Sequence, residues 1–339
     1  MLTPDFPPGE RAMVSPYLLI TLTYGLGTLT TIHDLGGAYN LNLVLHTAIG
    51  QYVARIYRPW VTAERLQALQ SLKYDLYTLN LPVILPCPTC TGTTYTTFED
   101  RMVEMEPFLH MDRVNEALPS YLHAATMLGQ LHNGLRRVGG KATIPAPHVA
   151  NYAPPETLQA WILHVQQQLQ HATHLQATQA QALCTTALIL LETILGWWHN
   201  HKTRLPQQLI HGDYGLRNIA FYQGKIVALL DFDFVAQRER LFELAYTVFW
   251  MLYRLPLAPS PHTMWKHVQQ FIEHYQKTSL LSLTDVEHAL LPIAMARVPL
   301  YWIAEAAFLP NPVDVVLQYA THLALAQHLF NEQEVWLKL

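Results

Sequence analysis

Leu209-Ile-His211-Gly-Asp213-Tyr-Gly-Leu-Arg-Asn218-Ile-Ala-Phe221 is the stretch that decides the fold, read with Ala228-Leu-Leu-Asp231-Phe-Asp233 just beyond it. In each segment an apolar run of strand length leads into an acid at a turn. Asp213-x-x-x-x-Asn218 on a tight loop puts a carboxylate and an amide oxygen around one point. Asp231 follows on the far side of a hairpin, whose β-turn is Tyr222-Gln-Gly-Lys225. A carboxylate near an attacking hydroxyl, with oxygen ligands for Mg²⁺ on nucleotide phosphates, is what phosphoryl transfer requires. Asp or Asn after a strand is ordinarily a turn cap, and each of the three alone would be read that way. Together and in this order they point to catalysis by Asp213 and metal binding by Asn218 and Asp231. His211 reads as a brace for the loop, and Asp233 as a turn cap or a second metal contact.

Working outward, the chain changes character near Glu106-Pro107. Before it, a short helical stretch at Tyr17–Tyr24 precedes strand-like runs at Leu29–His33, Asn40–Thr47 and Gln51–Tyr57. Gly36-Gly37 and Ile49-Gly50 fall where turns belong. Leu66, Leu69, Leu72, Leu76 and Leu79 give Thr62–Leu79 a helical apolar face, and Thr91–Phe98 and Arg101–Glu104 return to strand patterning. After 107 the pattern is helical over Arg113–Leu135, Glu156–Leu175 and Thr178–His201, and again from Leu241, with breaks at Pro256–Pro261 and Pro310–Pro312. The expected architecture is α+β: a small β-rich lobe over 1–106 and a larger, mostly helical lobe over 107–339.

Composition narrows the function. The 339 residues are 50% hydrophobic and 14% charged, enough apolar material for two cores. With 21 Lys plus Arg against 25 Asp plus Glu and no basic run, nucleic acid is not an expected partner. Three cysteines do not make a disulfide framework, and Cys87-Pro-Thr-Cys90 lacks a second pair for zinc, so a reducing cytoplasm is expected. The apolar stretch Tyr17–Leu29 follows Asp5 and Glu10 without a basic opening, which argues against a signal peptide. Later apolar stretches are interrupted by Glu192, Arg297 and Glu305, so no membrane span is expected. The 18 histidines, His171-x-x-His174 included, show no matched third ligand. A P-loop and a Gly-x-Ser-x-Gly elbow are both missing.

His211-Gly-Asp213 with Asn218 and the later Asp231-Phe resembles the aminoglycoside phosphotransferase superfamily, which includes choline kinases and type II homoserine kinases. The resemblance implies a bilobal protein-kinase-like fold that uses ATP and Mg²⁺ to phosphorylate a hydroxyl of a small molecule. It makes Asp213 the catalytic base and Asn218 and Asp231 the metal ligands. It also implies a nucleotide site. Leu35-Gly36-Gly37-Ala-Tyr-Asn40 resembles the phosphate-facing loop, Tyr52-Val-Ala-Arg55 the strand offering a basic residue to the phosphates, and Val103-Glu104-Met-Glu106 the adenine-contacting hinge. Arg55 stands where the family has Lys, a planar fork in place of a point charge. The helix that follows has only Glu64 near its start as an acid to pair with it. Leu128-Gly-Gln-Leu-His132 also matches the family, and the resemblance runs from about Tyr24 to Phe249.

The acceptor stays open among amino sugars, homoserine-like and choline-like alcohols, with Asp285, Glu287, Glu305 and Asp314 as acids that would meet a cation or lie on the surface. Two rivals are a non-catalytic nucleotide-binding scaffold and a protein Ser/Thr kinase. The second is disfavoured by Gly215 two residues after Asp213, where such kinases carry Lys. Arg238, Glu239, Arg240 and Glu243 read as a solvated, salt-bridged helix start.

Overall fold

A computed structural model describes residues 14–36, 40–140, 143–148, 151–172, 176–256, 258 and 260–338. Gly37, His174 and the expected helix end at Leu175 lie outside the described residues. The chain divides into two compact units. One comprises Met1–Arg113, Gly140–His148 and Ala220–Asp233; the other comprises Val114–Gly139, Val149–Ile219 and Phe234–Leu339.

The first unit opens with α1 (Val14–Thr23), then β1 (Leu29–Asp34), β2 (Leu41–Thr47), β3 (Gly50–Ile56), α2 (Ala63–Thr78), β4 (Thr96–Phe98) and β5 (Arg101–Pro107). The strands form one antiparallel sheet in the order β1-β2-β3-β5-β4. Strand alternation explains its two faces. Leu41, Leu43 and Leu45, Ala54 and Ile56, Val103 and Met105 join Tyr17 and Ile20 of α1 and the following Tyr24 in a buried core. The intervening positions, Arg55 on β3 and Glu104 and Glu106 on β5, turn the other way, with Arg55 paired in register with Glu104. Helix α2 starts at Thr62, whose side chain accepts the Arg65 N–H at 3.2 Å.

The second unit holds α3 (Leu118–Val138), α4 (Pro155–Gln170), α5 (Ala177–His201), β6 (Gln207–Ile210), β9 (Ala236–Glu239), α6 (Arg240–Arg254), α7 (Pro261–Thr278), α8 (Asp285–Arg297), α9 (Leu300–Glu305), α10 (Pro312–Gln318), α11 (Ala320–Asn331) and α12 (Gln333–Trp336). Between β6 and β9 the chain forms the hairpin β7 (Ile219–Tyr222) and β8 (Lys225–Leu229). Gln223 and Gly224 both sit at positive φ, the two-residue turn that matches strand twist. Helix α3 packs on α7, α4 on α5, and α6 and α11 on α8. The α3–α7 crossing is close because Gly129 has no side chain: a Cβ there would meet the Tyr275 carbonyl and the Thr278 hydroxyl. By length and composition, 177–204 and 285–308 are apolar enough to cross a membrane. Here they pack against other helices of this unit.

Candidate active site

Strands β6 and β9 pair antiparallel, Ile210 opposite Ala236, and hold the segment that follows Ile210 against the helices of the second unit. His211 is fully buried and its Nδ1 accepts the Asp213 N–H at 3.3 Å. The N–H groups of His211 and Gly212 both donate to the Glu243 carboxylate, at 3.0 and 2.5 Å. Glu243 also takes His132 Nε2 at 2.9 Å, and His132 Nδ1 lies 3.0 Å from the Tyr275 hydroxyl. Burial by itself would raise the Glu243 carboxyl, yet the His132 contact and the charge and N–H of His211 hold it below the ordinary value. Gly212 is held at φ +85°, and a Cβ there would run into the Phe234 carbonyl. The loop is fixed by these contacts before it does any chemistry.

That brace presents Asp213. Its Oδ1 accepts Arg217 Nη2 at 2.6 Å and the Tyr246 hydroxyl at 2.5 Å, and its Oδ2 accepts the Asn218 amide at 2.9 Å. Asn218 Nδ2 also donates to the Asp213 carbonyl at 2.8 Å, which leaves the amide oxygen as the atom able to take a metal. Burial and the Asp213 charge push the Tyr246 hydroxyl well above its ordinary range, so it remains a donor.

The other charged cluster belongs to the first unit. Arg55 Nη1 reaches Asp231 Oδ1 at 3.2 Å and Asp233 Oδ1 at 3.3 Å. Burial opposes the Arg55 charge, but the two aspartates outweigh it and hold the guanidinium protonated. Asp231 adopts φ +59°, rare for a residue with a side chain. Asp233 also accepts from the Asn40 amide, and its carbonyl takes Arg65 Nη2 at 2.5 Å. Burial and the neighbouring Asp231 raise the Asp233 carboxyl to about 6. Lys73 of α2 bonds Glu104 at 2.7 Å and Glu106 at 2.8 Å. Burial disfavours the Lys73 charge, and the two glutamates reverse the effect. Arg55, Lys73, Glu104, Glu106, Asp231 and Asp233 line one pocket.

Among the residues singled out from sequence, Asp213 and Asn218 are hydrogen-bonded to each other. Asn40, Arg55, Asp231 and Asp233 form a second connected group. Glu104 and Glu106 border that group, with the Glu104 side chain fully buried against Lys73, Gln70 and Tyr57. Gly36 is exposed at φ +74° beside Asp34. Among the described residues, no three or more His, Cys, Asp or Glu side chains gather around one point.

Two expectations are corrected. Glu243 is not on a solvated helix start but is the buried anchor of the loop, while Arg240 is buried in a bidentate pair with Glu287 at 2.7 and 2.8 Å. Glu287, offered as an acid for a cationic acceptor, instead closes a capping box with Thr284. Lys73 was missed. Its signal was a cation three to four residues from Leu69 and Leu76, on the buried face of α2, opposite acids on alternate positions of β5.

Residues 31–281 match the phosphotransferase enzyme family, and the chain belongs to it. It is 24% identical over 235 residues to the homoserine kinase of Sinorhizobium fredii and 23% identical over 223 residues to that of Rhizobium meliloti. Each match covers 66% of this chain and 64% of the relative's length. Among solved structures, an amicoumacin kinase complex is similar with a TM-score of 0.69 at 14% identity, covering 97% of this chain and 95% of that one. A microcompartment-associated aminopropanol kinase gives 0.67 at 16%, covering 95% and 98%. At these identities the likeness is one of fold, and that fold is protein-kinase-like, β-rich first and mostly helical after.

Proposed function

We propose that the chain is an ATP-dependent kinase that transfers the γ-phosphoryl group to a hydroxyl of a small molecule. The observation that carries this reading is Asp213, a carboxylate on a buried, pre-braced loop whose neighbour Asn218 is turned by hydrogen bonds to offer its amide oxygen. In this reading Asp213 orients the acceptor hydroxyl and takes its proton late, as a loose transition state requires. Arg217 and Tyr246 both donate to its Oδ1, which fixes the direction in which the carboxylate faces.

Asn218 and Asp231 are the proposed ligands of Mg²⁺. Their oxygen donors suit that hard cation, which when bound neutralises phosphate charge. Gly36, Gly37, Asn40, Arg55, Glu104 and Glu106 make the proposed nucleotide site, with 1–106 as nucleotide lobe and 107–339 carrying catalysis and the acceptor. Lys73 joins them as the cation paired with both Glu104 and Glu106. A cytoplasmic enzyme without nucleic-acid or membrane partners fits the neutral charge balance.

The kinases that this chain resembles are named for homoserine, aminopropanol, ethanolamine and choline among others. The acceptor is accordingly proposed to be an alcohol that also carries an amine. The test is Mg²⁺-dependent ATP turnover by wild type and Asp213→Ala across hydroxy amino acids, amino alcohols and amino sugars. Acceptor-stimulated turnover that disappears in the variant supports the reading, and absence of any Mg²⁺-ATP binding by wild type overturns it.

A further inference from the structure

In the second unit, the end of α5, the start of α6 and the last turns of α8 surround a pocket partly open to solvent. Trp197, Trp198, Phe242 and Ile293 give it apolar walls, and Arg297 and Glu239 are its two charged lining residues. Arg297 is 8% exposed and stacks on three rings, 4.4 Å from Tyr152, 5.3 Å from Trp198 and 5.7 Å from Phe242. A second guanidinium, Arg238, is also 8% exposed and lies 4.6 Å from the same Tyr152 ring.

Among the described residues, neither Arg238 nor Arg297 has a carboxylate within 4.0 Å. Arg297 Nη2 donates to the Ala153 carbonyl at 3.0 Å, and Arg238 Nη1 to Asn151 at 3.4 Å, both neutral acceptors. The adjacent acid, Glu239, takes the Tyr152 hydroxyl at 3.1 and 3.3 Å. Burial and the nearby Arg297 charge lower the affinity of Arg238 for its proton, against the opposing pull of Tyr152, Glu239 and Glu243. Cations removed from water are normally matched by an anion, because solvation is lost without a Coulombic return. Here two share one aromatic ring and one of them borders an apolar pocket.

We propose that this pocket binds a small organic carboxylate with an apolar or aromatic body. The carboxylate sits on the Arg297 guanidinium, and the body lies against Trp197, Trp198 and Phe242. A guanidinium fork matches a carboxylate bidentately, and tryptophan faces offer large contact area to a flat ligand. The proposal stands apart from the kinase reading, since it uses neither Asp213 nor the residues bonded to it.

The experiment is calorimetric titration of the full chain with acid–amide pairs: benzoate and benzamide, phenylacetate and phenylacetamide, hexanoate and hexanamide. Wild type is expected to bind the acids roughly ten- to a hundred-fold more tightly than their amides, the discrimination a charge-assisted pair supplies. Inorganic phosphate, which lacks an apolar body, is expected to bind no better than the amides. Arg297→Gln removes the preference for acids, and Arg297→Lys retains part of it, both with Mg²⁺-ATP binding unchanged. The wild-type series decides the matter even if Arg297→Gln fails to fold. Acids no tighter than amides on wild type, phosphate tighter than the acids, or an undiminished preference in Arg297→Gln overturns the proposal.

Discussion

The Asp213 loop of the helical unit and the charged cluster of the β-rich unit are both built around acids, but they are held in different ways. Around Asp213 the acid that matters for structure, Glu243, is tied to two backbone N–H groups and a histidine, none of which a ligand is expected to displace. Around Asp231 the bonds are ion pairs between long side chains, Arg55 to two aspartates and Lys73 to two glutamates, lining a pocket. Backbone-anchored acids fix geometry. Side-chain ion pairs can exchange partners, and in the proposed reading phosphate and metal would be the new ones. A loop that positions a reacting hydroxyl needs the first kind, and a site that admits a polyanion needs the second.

That contrast orders the expected effects of mutation. Glu243→Gln should be the most damaging to stability, about 3–5 kcal/mol, because it breaks a buried pair and strands donors on the loop. Denaturant titration reads it directly. The Glu243 carboxyl is depressed in the fold, so its stabilisation is complete above the ordinary value of 4.5 and lost as pH falls through its lower folded value. The gap in Tm between wild type and Glu243→Gln should therefore narrow below that pH. Gly212→Ala follows at about 2–3 kcal/mol, from a strained φ and a clash with the Phe234 carbonyl.

The exchangeable cluster should respond more mildly. Lys73→Met should cost about 2 kcal/mol, since Glu104 keeps Gln70 and Tyr57 as donors. Adding Glu104→Gln should recover part of that loss, and full additivity in the double variant would contradict the coupling. The smallest stability effect is expected for Arg217→Ala, whose side chain is 65% exposed: within about 1 kcal/mol in denaturant titration.

The same contrast explains what was legible in the sequence. β1, β2, β3, β5, α2 and the long helices after 118 follow from apolar periodicity, which depends on neighbours only a few residues away, whereas Ala236–Glu239 has no such alternation and its Arg238 and Glu239 were read as part of a helix start. Asp213, Asn218 and Asp231 stand out because their spacing is local too. Glu243 did not, because its partners His211, Gly212 and His132 lie 31 to 111 positions away and pair only once α3 and α6 are packed. Arg240 and Glu287 are separated by 47 positions and were hidden for the same reason. Lys73 was missed on different grounds. A cation on an apolar helix face looks like a long side chain reaching out to water unless the facing strand is known to carry acids.

The most direct test of the account is to separate binding from transfer with two amide substitutions. Mg²⁺-ATP affinity and single-turnover phosphoryl transfer to the best acceptor would be measured for wild type, Asp213→Asn and Asp231→Asn. The account predicts that Asp213→Asn binds Mg²⁺-ATP as wild type does but transfers about 10²- to 10⁴-fold more slowly, whereas Asp231→Asn loses the Mg²⁺-dependent part of binding. Transfer by Asp213→Asn at a rate close to wild type would contradict it.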